Sequence, residues 1–98
     1  MTMDILVTYD IDTSTRVGAR RLTRVAHACE RYGVRVQDSV FECRLLPSRY
    51  QHLVEELRQL IDKRADSVYF YRFDRPLDQS RTALGRPAPH RSGEAWIR

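Results

Sequence analysis

The stretch that decides the fold is Ile5-Leu6-Val7-Thr8-Tyr9-Asp10-Ile11-Asp12, an apolar run that ends in two carboxylates. Apolar residues on both faces predict a strand over residues 4–11 that lies in the centre of its sheet. A carboxylate at the end of a strand can hold a hard cation through its oxygens. The end of this strand is therefore our first candidate site.

An arginine-rich helix is predicted directly after this strand. Residues 13–33 contain five arginines and one acid, Glu30. Hydroxyl groups at positions 13–15 can cap the helix, which we expect to run to about Tyr32, with Gly33 as its stop. The apolar positions of this helix recur at spacings of three and four and form one stripe: Gly18, Leu22, Val25, Cys29 and Tyr32.

A row of basic side chains lies on the opposite side of the same helix. The row consists of Arg16, Arg20, Arg24, His27 and Arg31. A solvated helix face is the alternative interpretation, but such faces usually mix charges of both signs. The chain has a net charge of +4, and all but one of its 17 Lys and Arg residues are arginine. Because arginine binds phosphate by paired hydrogen bonds, this row indicates nucleic-acid binding.

The remaining pattern predicts two more strands and one more helix. A long strand is predicted over residues 34–45. Its apolar residues occupy alternate positions of one sheet face before residue 38 and of the other face after residue 40. This change of face predicts either a bulge or burial of the second half against a partner. A helix follows with Pro47 in its first turn, Ser48 and Gln51 as a capping box, and an apolar stripe to about residue 64. Residues 67–73 form an aromatic strand, interpreted as core and interface rather than as a base-stacking platform.

The order strand, helix, strand, helix, strand and then a short strand predicts an α+β sandwich of the ferredoxin-like βαββαβ kind, with helices on one sheet face. We expect the other face, with Tyr69, Tyr71 and Phe73, to form a homodimer interface. Residues 1–78 would form the ferredoxin-like domain. Residues 79–98 would form an extended C-terminal tail with a short extra strand, and Trp96 and Ile97 would dock on the dimer or on a partner.

The sequence also limits where the protein is expected to work in the cell and which metal sites it is expected to contain. Cys29 and Cys43 lack the spacing of a zinc site and are expected to be two buried thiols in a reducing compartment. No stretch is apolar and long enough for a membrane span, and the N-terminus does not resemble a signal peptide. We therefore expect a cytoplasmic protein without a membrane partner. The three histidines lack the spacing of a metal motif.

Several segments together resemble the smaller of the two universal CRISPR adaptation proteins, the CRISPR-associated Cas-two family. The resemblance covers the whole chain in order. It is carried by Tyr9-Asp10-Ile11, Arg31-Tyr32-Gly33, Arg35-Val36-Gln37-Asp38-Ser39-Val40-Phe41-Glu42-Cys43, Leu57-Arg58-Gln59-Leu60-Ile61-Asp62, Asp66-Ser67-Val68 and Leu84-Gly85-Arg86-Pro87.

The resemblance implies a homodimer that joins an integrase partner to capture spacer DNA, and a metal-dependent endonuclease acting on RNA or double-stranded DNA. It implies that Asp10 is the catalytic and metal-binding residue, with two copies sharing one Mg²⁺ or Mn²⁺ across the dimer axis. With Asp10 assigned to the metal, Asp12 is interpreted as a helix cap. Without the resemblance, helix capping is an alternative role for both Asp10 and Asp12.

Other residues complete the expected site. Arg16, Arg20, Arg24 and Arg31 would bind nucleic acid, and Tyr9, Ser39 and Phe41 would line the cleft, with packing an equal alternative for Phe41. Two functions stay open: a dimeric endonuclease using Asp10, and a non-catalytic DNA scaffold that needs only the basic surface. The choice between RNA and DNA also stays open, because phosphate contacts carry no such information.

Overall fold

The computed structural model describes residues 1–86, which form a four-stranded antiparallel sheet with two long helices on one face. The sheet order is β2-β3-β1-β4, which confirms the α+β class and the central place of the first strand. In chain order the elements are β1 (Met3–Asp10), α1 (Arg16–Glu30), β2 (Gly33–Gln37), β3 (Val40–Leu45), α2 (Pro47–Leu60), β4 (Ser67–Phe73) and the single-turn α3 (Leu77–Ser80).

The core lies between the sheet and the two helices. Alternation along β1 sends Ile5, Val7 and Tyr9 to the helix side, where all three are buried. The predicted stripe of α2 is confirmed at its centre, since Leu53 and Leu57 are at most 1% exposed. Cys29 and Cys43 are buried free thiols, as predicted, and burial raises the pKa of each to about 12.

The prediction of one long strand over residues 34–45 is wrong. β2 and β3 are separate antiparallel strands joined at Asp38 and Ser39, and Gln37 pairs with Val40 across the turn. The reversal of apolar parity therefore marks a two-residue hairpin connection rather than a bulge at that point. The irregularity in the ladder lies earlier, between Arg35 and Gln37.

The helix ends differ from their predictions in detail. Thr15 caps α1, since its hydroxyl accepts a hydrogen bond from the Gly18 N–H at 3.0 Å. The capping box at the start of α2 is wrong, because the cap position is Leu46, without a side-chain cap, and Pro47 opens the helix. α1 ends at Glu30 and α2 at Leu60, each a few residues earlier than expected.

The sheet face away from the helices is partly covered by the chain itself. The Leu77 N–H donates to the Asp4 carboxylate at 2.7 Å, and the Arg81 guanidinium pairs with Glu42, so this segment crosses β1 and β3. Tyr69 and Tyr71 stay exposed on the same face. Residues 81–84 carry no strand, and the predicted docking of Trp96 and Ile97 lies outside the described residues.

Candidate nucleic-acid and metal site

Asp10 is the last residue of β1, and its side chain is exposed. Alternation along the strand places it on the face opposite Tyr9, and it pairs with Ser67 of β4. Within residues 1–86 its carboxylate makes no hydrogen bond or ion pair. It is therefore available as a ligand.

The N-terminal half of the basic row begins at Arg16, six residues after Asp10. Arg16, Arg20 and Arg24 are exposed on α1, and none of them pairs with an acid in the described part of the chain. The only carboxylate in the whole helix is Glu30, at its last position. These three guanidinium groups are free to bind phosphate oxygens.

Arg31 differs from the rest of the row. It is the C-cap of α1, and its guanidinium forms an ion pair with Glu56 of α2. The Tyr32 hydroxyl donates to the other oxygen of Glu56 at 3.0 Å. Because Glu56 offsets its charge, Arg31 is a weaker anion-binding group than the three arginines before it.

The predicted cleft residues separate into two layers. Tyr9 and Ser39 line an open cleft of about 420 Å³ between α1 and the β2–β3 turn. Phe41 lies beneath it, fully buried, with its ring stacked on Tyr9 at 6.2 Å between centroids. Burial also raises the pKa of Tyr9 to about 12, so its phenol stays protonated. Asp10 does not line this cleft.

The sequence did not predict the role of a buried carboxylate, that of Asp66. This carboxylate holds the backbone close to the Asp10 site. Asp66 precedes β4 and accepts hydrogen bonds from the Asp12 N–H at 2.9 Å and the Asp62 N–H at 2.8 Å. Arg21 of α1 donates to the same carboxylate through Nε at 2.8 Å and Nη2 at 3.2 Å. The Arg21 hydrogen bonds are the main cause that lowers the pKa of Asp66 to about 2.

Asp12 holds the loop between β1 and α1. Its carboxylate accepts a hydrogen bond from the Ser14 N–H at 2.9 Å, which lowers the pKa of Asp12. This contact closes a turn in front of the helix, and the helix cap itself is Thr15. Asp12 thus orders the entry to α1 rather than capping it.

One chain supplies a partial ligand set for a divalent cation. No group of three or more His, Cys, Asp or Glu side chains that could hold a metal occurs in residues 1–86. Asp10 alone is a hard oxygen ligand, and Mg²⁺ is commonly bound by one or two carboxylates, with waters and phosphate oxygens completing its shell. The donor chemistry at Asp10 therefore fits Mg²⁺ or Mn²⁺ if a second carboxylate or a phosphate joins it.

The fold and this site define a small ferredoxin-like protein with a free carboxylate at the end of its central strand and a row of exposed arginines on the helix that follows. Residues 3–80 match the family described as CRISPR associated protein Cas2. The chain belongs to the CRISPR associated protein Cas2 family, as the resemblance of its motifs predicted.

Individual relatives agree with this assignment. The chain is 45% identical over 74 residues to the CRISPR-associated endoribonuclease Cas2 1 of Moorella thermoacetica, covering 76% of this chain and 77% of that protein. It is 49% identical over 70 residues to the CRISPR-associated endonuclease Cas2 of Halalkalibacterium halodurans, covering 71% and 73%. The crystal structure of Streptococcus pyogenes Cas2 at pH 6.5 superposes with a TM-score of 0.78 at 42% identity, covering 85% of this chain and all of that one.

Among residues 1–86, no helix has the length and apolar character needed to cross a bilayer.

Proposed function

We propose that this protein is a dimeric, metal-dependent endonuclease that cleaves phosphodiester bonds of RNA or DNA and takes part in CRISPR spacer acquisition with an integrase partner. The observation that carries the proposal is the free carboxylate of Asp10 at the end of the central strand, in a chain whose next helix exposes Arg16, Arg20 and Arg24 without an acid partner among residues 1–86. The names of the relatives, endoribonuclease and endonuclease, support the same reaction class.

In this proposal the residues have separate roles. Asp10 from each of two copies holds one Mg²⁺ or Mn²⁺, because a single carboxylate is a small ligand set. A bound ion of this kind supplies a lowered pKa for a coordinated water and neutralises charge on the scissile phosphate. Arg16, Arg20 and Arg24 bind the flanking phosphates and hold the backbone in register.

The dimer would form through the sheet face that carries Tyr69 and Tyr71. The two rings stack at 6.3 Å between centroids, and they are 59% and 49% exposed. Large exposed aromatic groups on a sheet face are typical of an interface. The segment from Leu77 to Arg81 covers the other part of that face, so we place the contact towards the β4 edge, on the side of Asp10. We propose that the tail of residues 79–98 contacts the dimer or the integrase.

A second candidate function is a non-catalytic DNA scaffold of the spacer-integration complex. One specific observation favours it: Arg16, Arg20 and Arg24 are all exposed in a single chain, and none of them pairs with an acid among residues 1–86. Such a scaffold needs Arg16, Arg20 and Arg24 but makes no use of the Asp10 carboxylate.

The test is a cleavage assay of the purified protein on single-stranded RNA and double-stranded DNA in Mg²⁺, in Mn²⁺ and with a chelator. Cleavage that requires the divalent ion supports the nuclease. Binding of duplex DNA without cleavage in any of these conditions contradicts the nuclease and supports the scaffold. The same assay identifies the substrate class.

A further inference from the structure

We propose that Asp66, acting together with Arg21, is a positioning residue for the Asp10 site; this inference rests on the proposed function. The Asp66 side chain is fully buried, and both of its oxygens accept hydrogen bonds from a backbone N–H and from the Arg21 guanidinium. A carboxylate with four such donors is a rigid junction rather than a surface ion pair.

The junction holds the end of β1 from two directions. Asp66 is followed directly by Ser67, which pairs with Asp10 across the β1–β4 ladder. On the other side, Asp66 accepts the N–H of Asp12, two residues beyond Asp10. The backbone that carries the Asp10 carboxylate is thereby fixed both beside and after that residue.

The same carboxylate connects the site to the basic helix. Arg21 is the residue after Arg20 in α1, but its side chain turns towards the sheet and is only 15% exposed, whereas Arg20 is exposed. The Arg21–Asp66 pair therefore sets the rotation of α1 relative to the end of β1. Metal binding at Asp10 and phosphate binding along α1 would share this one support, in the way that outer residues commonly orient metal ligands.

The chain contains a matched control at the opposite end of β1. Asp4 is also buried, and it accepts Nε of Arg44 at 3.0 Å, Nη2 of Arg44 at 3.3 Å and the Leu77 N–H. Asp4→Asn and Asp66→Asn thus remove the same kind of bidentate arginine pair from opposite ends of β1, one within that strand and the other just before β4. A purely structural role predicts that the two variants behave alike at the Asp10 site.

The experiment measures Mn²⁺ affinity by electron paramagnetic resonance, and the Mn²⁺ concentration for half-maximal cleavage, for wild type, Asp66→Asn, Asp66→Glu and Asp4→Asn. All are compared at a temperature where circular dichroism shows them folded. Asp66→Asn should weaken Mn²⁺ binding about tenfold, Asp66→Glu should restore part of it, and Asp4→Asn should leave it within twofold. If Asp66→Asn fails to fold, Arg21→Gln takes its place, since it leaves both backbone hydrogen bonds to Asp66 intact.

Each outcome decides a different claim. Equal Mn²⁺ affinities in Asp66→Asn and Asp4→Asn overturn the positioning role. Wild-type protein that binds Mn²⁺ but does not cleave overturns the proposed nuclease function, while the comparison of affinities still decides the role of Asp66. Wild-type protein that does not bind Mn²⁺ at all overturns both.

Discussion

Gly18 and Asp12 approach so closely that a methyl group on Gly18 would lie 1.9 Å from the Asp12 carbonyl oxygen. The first turn of α1 therefore packs against the loop after β1 with no room for a Cβ atom. This contact, together with Asp66, holds the basic helix in a fixed position relative to Asp10. The glycine is needed for space, since its φ is not in the left-handed region.

Gly18→Ala should therefore destabilise the protein. In an open helix the change would raise the free energy of unfolding by about 1 kcal/mol, because alanine is the better helix former. Here the clash with backbone should reverse the sign and lower the free energy of unfolding by about 2 kcal/mol. Urea unfolding measures this change in the free energy of unfolding, and Thr23→Ala, at an exposed position of the same helix, is the control. Stabilisation by Gly18→Ala would show that this close packing is wrong.

The basic row should control the salt dependence of nucleic-acid binding. Replacing Arg20 or Arg24 with Gln removes one phosphate contact, so the slope of log K against log salt should flatten by roughly 0.7–0.9 for each change. Arg31→Gln should have a smaller effect because Glu56 already pairs with that guanidinium. Fluorescence anisotropy over a KCl series measures the slopes.

The control for that series is Arg58→Gln. Arg58 is 57% exposed on α2 and pairs with Glu55, so it should leave the slope unchanged. An equal flattening by Arg58→Gln and Arg20→Gln would mean that binding follows net charge and has no preferred face.

Asp66 should govern part of the stability at acid pH. Its pKa is lowered from 3.8 to about 2 in the folded protein, so its ionised form is stabilised by folding. The contribution is fully present above about pH 4 and is lost as the pH falls through the folded pKa of about 2. Its size is on the order of 2 kcal/mol.

Asp66→Asn should accordingly flatten the decline of the free energy of unfolding over that pH range. Urea titrations at a series of pH values measure the decline, and the part that persists includes the contribution of Asp12, whose pKa is also lowered. If the free energy of unfolding falls as steeply with pH in Asp66→Asn as in wild type, groups other than Asp66 cause the acid sensitivity.

The tyrosine pair on β4 should control the oligomeric state. Tyr71→Asp places a charge in the proposed dimer contact and should convert a dimer into a monomer in sedimentation velocity at micromolar concentration. Leu46→Asn changes an apolar residue that is also 49% exposed, but at the start of α2, and should not alter the oligomeric state. A Tyr71→Asp protein that stays dimeric would move the interface away from this face.

Much of the fold follows from periodicity. The predicted strand over residues 67–73 is confirmed at both ends, because the alternating pattern of a short strand leaves few choices for where the strand begins and ends. The hairpin at Asp38 and Ser39 was missed because a reversal of apolar parity fits either a bulge or a tight turn, and neither residue is glycine. The early ends of α1 and α2 depend on tertiary packing, which outweighs local propensity.

The candidate site, like the fold, could be predicted from the sequence only in part. The free arginines were predictable from their spacing along one helix face, and the family motifs pointed to Asp10. The family motifs included Asp66-Ser67-Val68, but they did not predict the role of Asp66, because its partners Asp12 and Arg21 are 54 and 45 residues away in the sequence. A second hint was Arg21, which is out of phase with the basic row and so had to point towards the sheet.

The measurement that tests the central claim most directly is the divalent-dependent cleavage rate of Asp10→Asn beside Asp74→Asn. Asp74 is an exposed acid just after β4, at the sheet end away from Asp10. Asp10→Asn should lower the rate at least a hundredfold while nucleic-acid binding stays within a few-fold, and Asp74→Asn should match wild type. Cleavage by Asp10→Asn at the wild-type rate would contradict the account.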